Sequence, residues 1–252
     1  MLAAAAEDGR LVIAVGGDGT AHEVVNGLLQ GGASRDRTFG GLLRGTGSDL
    51  LRSLPGPKSP AEVLRWLSSK RRRTIDVGLF SGPPTQRYFV NAADVGIGAE
   101  VVRRQELMPR RFGGSGFLVA SLISLVRYRS QPLTMSVDGG TPVGTRAWTV
   151  ALANGGWLGG GMRVAPSARL DDGKLEVVTI GALGRVQAAA CLALVYGGLH
   201  GRMREVRFQQ AKEVRIDSPV KLEVETDGEL AGFTPARFEL LPGALQVIDW
   251  EP

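Results

Sequence analysis

Leu11-Val12-Ile13-Ala14-Val15-Gly16-Gly17-Asp18-Gly19-Thr20-Ala21-His22-Glu23-Val24-Val25-Asn26-Gly27-Leu28-Leu29 is the stretch that decides the architecture. Its continuous apolar run, Leu11 to Val15, is the pattern of a strand buried in a parallel sheet. The run ends in glycines, and from Thr20 the apolar residues Val24, Val25, Leu28 and Leu29 recur at helical spacing. The unit reads strand, Gly-rich turn, helix. Such a turn points backbone N–H groups and a helix N-terminus at one place, a geometry suited to a phosphate chain. Taken alone, it is equally an ordinary structural turn.

Upstream, residues 2–8 read as the end of a helix closed by Gly9. Downstream, a second apolar run from Phe39 to Leu43 enters another Gly-rich turn at Gly45 and Gly47, and helical patterns follow over Asp49 to Ser53 and Pro60 to Ser69. This alternation predicts a parallel α/β domain over 1–73. Beyond Arg73/Thr74 the texture changes to short runs separated by Gly, Pro, Asp and Asn, including Ile75 to Phe80, Arg87 to Asn91, Ala147 to Asn154, Lys174 to Ile180, Glu213 to Asp217 and Lys221 to Thr226. With two helical stretches inserted, Phe117 to Val126 and Val186 to Tyr196, this predicts a mainly antiparallel sheet or sandwich over 74–252, its C-terminal tail free to return to the first domain. Each apolar stretch is about half the roughly 20 residues that a membrane-spanning helix needs.

The composition, 43% hydrophobic and 22% charged in 252 residues with a mean hydropathy of +0.02, is that of a globular chain. A single cysteine, Cys191, excludes a disulfide framework and a cysteine-based zinc site. No secretory leader is visible, and a reducing cytoplasm is the expected compartment. The net charge is +5 and the pI near 9.8, with arginines clustered at Arg71 to Arg73, Arg103 and Arg104, Arg110 and Arg111, and Arg127 and Arg129. Solvated helix faces or an anionic membrane surface account for such clusters. Nucleic acid does not, because 6% aromatics supply few stacking platforms. With only His22 and His200, a histidine triad or zinc site lacks material, and His22 reads as a helix-face residue.

The residues from Gly16-Gly17-Asp18-Gly19-Thr20 through Glu23 and Asn26-Gly27 resemble the catalytic-domain signature of diacylglycerol kinases, sphingosine kinases and their bacterial lipid kinase relatives. Gly45-Thr46-Gly47-Ser48-Asp49-Leu50 is similar to that superfamily's second nucleotide loop, with Ser48 where Asn is usual. Phe89-Val90-Asn91 through Glu100, Gly159-Gly160-Gly161 through Leu175, and Thr226-Asp227-Gly228-Glu229 resemble three further segments, in family order. The resemblance implies a nucleotide-binding α/β domain followed by a β-sandwich, and transfer of phosphate from ATP to a lipid hydroxyl with Mg²⁺. It implies a role in lipid metabolism and phospholipid biosynthesis, and a cytoplasmic enzyme peripherally attached to an anionic membrane. A homodimer is an open expectation.

Carried over residue by residue, the resemblance makes Asp227 the base, Glu229 its acidic neighbour and Asp18 a further acid at the reaction centre. It gives the nucleotide to Gly16, Gly17, Asp18, Gly19, Thr20, Ala21, His22, Glu23 and Thr46, and a metal ion to Asp172 with the carbonyls of Arg169 and Lys174. Asp94 joins an acidic network. Read alone, Asp227-Gly228 and Asp172-Gly173 are turn dipeptides. Full family members begin with an NPxSG-like turn ahead of GGDGT that has no counterpart here, so the first domain is expected to be N-terminally incomplete. The rivals are an NAD-kinase-like enzyme, which shares the GGDGT turn, and a non-catalytic module that binds nucleotide or lipid.

Overall fold

A computed structural model describes residues 11–30, 37–43, 49–57, 59–69, 71–108 and 116–250. The helix expected over 2–8, the loop residues 44–48 with Thr46, and Arg110 and Arg111 lie outside the described residues.

The deciding stretch folds as read. Strand β1 (Leu11–Gly16) runs into helix α1 (Asp18–Leu29), and β2 (Thr38–Leu43) returns parallel to β1, pairing Leu11 with Thr38. Helix α2 (Asp49–Ser53) and helix α3 (Pro60–Ser68) follow. The start of α3 is fixed by a capping box, in which Ser59 Oγ accepts from Glu62 N and Glu62 accepts from Ser59 N, with Pro60 in the first turn.

The remainder is chiefly antiparallel. It comprises β3 (Arg72–Gly82), β4 (Thr85–Phe89), β5 (Ala92–Gly96), α4 (Ile97–Glu106), α5 (Gly116–Arg127), β6 (Gln131–Val137), β7 (Val143–Ala153) and β8 (Leu175–Gly181). These are followed by α6 (Arg185–Tyr196), β9 (Val206–Ala211), β10 (Glu213–Asp217), β11 (Glu223–Thr226), β12 (Glu229–Phe233) and β13 (Ala236–Ile248). Strand β13 links the two regions: it pairs antiparallel with β10 and β3 and then, past an irregularity between Leu241 and Leu245, runs parallel to β2. The Arg73/Thr74 boundary therefore falls inside β3, whose Ile75 and Val77 pack with Val25, Leu29 and Phe39 of the first region and Leu245 and Val247 of β13.

The second region has one sheet with two covered faces. Ala93, Val95, Val150, Leu152, Val177 and Val224 point into a core that includes Phe80 and Phe238. The alternating residues Ala92, Ala151, Ala153, Val178 and Ile180 face the other way, against Ala188, Cys191 and Val195 of α6. Strand periodicity puts Asp94 and Glu225 on that second face, since Glu225 is paired with Asp94 and Asp94 with Ala151.

One expectation is corrected. The second region contains a third helix, α4, beside the two that were expected. Its glycine-flanked start reads as a turn, but Asp94 caps it from the middle of β5: Oδ1 accepts from Gly98 N at 2.9 Å and Ala99 N at 3.3 Å. A Cβ on Gly98 would lie 2.5 Å from Asp94 Oδ1, so only glycine admits this cap. Among the described residues, no helix is long and apolar enough to cross a membrane.

Candidate active site

Asp227 and Gly228 form the two-residue turn between β11 and β12, with φ of +49° and +88°. Two positive φ values in a two-residue hairpin fit the right-handed twist of the flanking strands. The turn and the functional reading thus coincide. The Asp227 carboxylate is turned onto the start of β5: Oδ2 accepts from Val90 N at 2.8 Å, and Oδ1 from Asn91 N at 2.9 Å and Ala92 N at 3.0 Å.

A fourth contact comes from α1. His22 is buried, not a plain helix-face residue, and its Nδ1 lies 3.3 Å from Asp227 Oδ2. The other ring nitrogen lies 3.3 Å from the Asn26 amide nitrogen, and a proton on Nδ1 is the one placed to reach Asp227. Asn26 in turn accepts from Tyr88 N and donates to the carbonyls of Tyr88 and His22. The signature helix is thereby locked to the second region through its polar face.

Asp18 opens α1, whose N-cap Gly17 makes no side-chain cap. Asp18 Oδ2 accepts from Asp49 N at 2.8 Å, while Asp18 Oδ1 is buried without a partner among the described residues. Asp49 accepts from Gly160 N at 2.6 Å and Gly161 N at 2.7 Å, so two Gly-rich segments meet at one acid. Burial raises both carboxyls, Asp49 to about 6, against the pull of Arg52. The Arg52 guanidinium stacks over Trp157 at 5.5 Å. Nothing in a single exposed arginine on a short helix marked it out in the sequence. Its positive charge acts on both Asp18 and Asp49.

Glu229 reaches the same place from β12. A Cβ on Gly19 would lie 2.8 Å from Glu229 Oε1, so the glycine lets the acid approach the first turn of α1. Burial raises the Glu229 carboxyl, and His22 opposes the shift. Among the nucleotide candidates, Gly16, Gly17, Gly19 and Thr20 line the turn. Ala21 is fully buried in the core and can offer only its backbone, and Glu23 is exposed beside Arg87 at 3.6 Å.

The metal candidates Asp172, Arg169 and Lys174 lie in the turn that leads into β8. Asp172 Oδ1 accepts from Lys174 N at 3.1 Å in a surface turn, whose Gly173 N donates to the buried Asp76. One carboxylate with two backbone carbonyls suits Mg²⁺ only as a largely hydrated ion. Among the described residues, no group of three His, Cys, Asp or Glu side chains is placed to hold a metal.

Behind the Asp227 turn, between the second sheet face and α4, α5 and α6, lies a cavity of about 150 Å³. Ile97, Val101, Leu125, Trp148, Ile180 and Cys191 give it an apolar wall. Asp94, Thr149, Glu225 and Gly228 supply its polar corner. Thr149 Oγ1 donates to Asp94 Oδ2, and Gly228 N donates to Glu225 Oε2 at 2.7 Å. Burial raises Asp94 to about 6, and burial together with the charge of Asp94 raises Glu225 well above the usual carboxylate range. Sequence reasoning missed Glu225, which reads as one polar position in a short strand.

Residues 1–80 match the diacylglycerol kinase catalytic domain, and residues 91–249 match the YegS C-terminal NAD kinase beta sandwich-like domain. A Chromohalobacter salexigens protein named as a YegS-like lipid kinase is 31% identical over 93% of this chain and 74% of its own length. A Mycobacterium tuberculosis diacylglycerol kinase is 29% identical over 98% of this chain and 80% of its own. A crystal structure from Bacillus anthracis str. Sterne, assigned to the diacylglycerol kinases, superposes with a TM-score of 0.77 at 26% identity, covering 96% of this chain and 77% of that one.

Proposed function

Because the chain belongs to the diacylglycerol kinase and YegS-like lipid kinase family, a kinase family that implies ATP as phosphate donor, we propose that it phosphorylates a hydroxyl of a diacylglycerol-like or sphingoid lipid. The observation that carries this reading is the contiguity of an apolar cavity with a row of carboxyls running from Glu225 through the Asp227 turn toward Asp49 and Asp18. Acyl chains fit the apolar wall, and the reacting hydroxyl then lies toward the phosphate turn.

The free N–H groups at the start of α1 and the Arg52 guanidinium bind the phosphates and hold them in line with the hydroxyl. Mg²⁺ bound with the nucleotide would neutralise phosphate charge, and the unpartnered Asp18 Oδ1 is the oxygen suited to hold it. Asp227 accepts the hydroxyl proton at Oδ2. The His22 contact, the longest of its four at 3.3 Å, opens to admit that proton, while the three backbone donors keep the carboxylate aimed.

Access to a bilayer belongs to the same proposal. Helix α6 turns Val186, Ala189, Ala190 and Ala193 outward, and α5 exposes Leu122 and Val126, above the cavity. The exposed Arg127, Arg129 and Arg185 flank this face and favour an anionic membrane.

The test is phosphate transfer from labelled ATP to lipids in mixed micelles with Mg²⁺. Asp227→Asn is expected to lower kcat by roughly 10²–10⁴-fold with little change in either KM. Asp18→Asn is expected to raise the KM for nucleotide instead. A loss of kcat alone in Asp18→Asn, with Asp227→Asn active, would exchange the two roles; no transfer to any lipid would sink the kinase reading.

A further inference from the structure

Helix α1 carries a polar stripe beside its apolar one. Asp18, His22 and Asn26 are four residues apart and so lie one above another on the helix. Each reaches a different element. Asp18 Oδ2 accepts from Asp49 N, His22 Nδ1 lies 3.3 Å from Asp227 Oδ2, and Asn26 Oδ1 accepts from Tyr88 N at 2.9 Å. His22 is 2% exposed, and burying a polar ring is costly unless its hydrogen-bonding groups are used. Its charged partner is the candidate base.

The contact matters because the acids around it repel. Burial and, behind it, the negative charge of Asp227 push the Asp18 carboxyl up. Burial does the same to Glu229, His22 opposes that shift, and Glu23 of α1 adds to it. Helix α1 thus brings Asp18 and Glu23 toward two acids of the second region, Asp227 and Glu229, with His22 between them. Glu23 pairs with Arg87 at 3.6 Å and Asn26 bonds Tyr88, but both of those links end on β4. Among the described residues, His22 is the side chain of α1 that hydrogen-bonds the base itself.

The ring has one useful place for its proton. Both hydrogens of Asn26 Nδ2 are spent on the carbonyls of His22 and Tyr88, each at 2.9 Å. A hydrogen on Nε2 would therefore point at a donor, whereas a hydrogen on Nδ1 meets a carboxylate. The Asp227 side is equally specific. Oδ1 takes two backbone donors and Oδ2 takes one, so His22 occupies the lone pair of Oδ2 that a substrate hydroxyl would use.

We propose that His22 is a positioning residue: its Nδ1–H registers the phosphate turn of α1 on Asp227 and yields its place at Oδ2 to the acceptor hydroxyl. This rests on Asp227 acting as the base and deepens that reading. Substitutions at this position take the two ring nitrogens apart. The amide nitrogen of Asn falls where Nδ1 lies, the longer Gln amide reaches toward Nε2, and Leu supplies neither.

The experiment compares His22→Asn, His22→Gln and His22→Leu with the unmodified chain in the labelled-ATP assay, each rate taken per folded molecule. His22→Leu and His22→Gln are expected to lose roughly ten- to hundredfold in kcat with both KM values kept, the scale of one hydrogen bond to a charged group. His22→Asn is expected to recover most of that loss. A histidine that serves only stability would leave kcat per folded molecule unchanged, or would leave Asn and Gln equally impaired. Either result overturns the proposal.

Nitrogen NMR of the histidine rings decides without turnover and without a folded His22 variant. The chain has two histidines, and His200 Nε2 lies 2.9 Å from the Val164 carbonyl, to which it donates. The unmodified chain is therefore expected to show one ring protonated on Nε2 and one on Nδ1, and Asp227→Asn to shift only the second. Two rings protonated on Nε2, or an Nδ1 signal that ignores Asp227→Asn, overturns the proposal. A chain that shows this bond but transfers no phosphate to any lipid would defeat the kinase reading and leave the registration of α1 on Asp227 standing.

Discussion

Asp94 is 2% exposed and carries a carboxyl raised to about 6, largely by desolvation. Its folded pKa exceeds the unfolded value of 3.8, so the fold binds a proton that the unfolded chain releases. The resulting stability is full below about pH 4 and is lost as pH rises through 6. Asparagine keeps the geometry: its oxygen still accepts from Gly98 N and Ala99 N, and its amide faces the Thr149 hydroxyl, which turns to accept. Asp94→Asn is therefore expected to stabilise the chain above pH 7, by on the order of 2–3 kcal/mol, and to be neutral at pH 4. Thermal unfolding of both proteins across that range checks this; a variant less stable at pH 8 than the unmodified chain would contradict it. At this scale the sequence was legible where spacing mattered and silent where burial did. Asp18, Asp227 and Glu229, each singled out by its motif, lie near one another, whereas the burial of His22 against Asp227 depends on a contact between α1 and a turn 205 residues later, and the position of Glu225 on the pairing of β11 with β5.

Helix α6 has a buried stripe of Ala188, Cys191 and Val195 and an outward face that is also apolar, with Val186 85% exposed. A surface helix normally turns charge outward. The exposed Leu122 and Val126 of α5 extend the same patch. Val186→Glu combined with Leu122→Glu is expected to leave the melting temperature nearly unchanged, since exposed substitutions rarely shift stability by more than about 0.5 kcal/mol. The same pair should abolish sedimentation with vesicles containing phosphatidylglycerol. Unaltered sedimentation would place the membrane face elsewhere, and a change from dimer to monomer would make the patch a contact between copies. Most elements were legible from periodicity: β1, α1, α2, α3, α5 and α6 fall within about two residues of their expected spans. Helix α4 was not, because its cap comes from Asp94 on the preceding strand and its glycines look like a turn. Strands β5, β6, β9, β12 and β13 were not among the runs singled out either.

In the whole molecule, the sheet is continuous, and β13 joins its parts. The side chain of Thr38 on β2 donates to Gln246 on β13 at 2.5 Å, across 208 residues of sequence. Leu245, 1% exposed, sits in the core of the first region with Phe39 and Val25. Leu245→Ala should cost roughly 2–5 kcal/mol. Its signature is regional: amide exchange is expected to quicken in β1 and β2 while β7 and β8 keep their protection. Uniform loss of protection would mean that the chain unfolds as one unit. No local pattern announces which strand a C-terminal run will join, since parallel pairing depends on partners distant in sequence.

That arrangement also orders events in time. The ribosome makes the Gly-rich turn and its helix about 200 residues before the strand that flanks β2 and fills the core beneath α1. Until β13 emerges, β2 presents a bare edge and apolar surface, the condition in which nascent chains pair with one another. The Gly-rich half of the candidate site is thus translated well before it can finish folding, and a ribosome stalled ahead of Ala236 would hold a complete signature motif without its supporting strand.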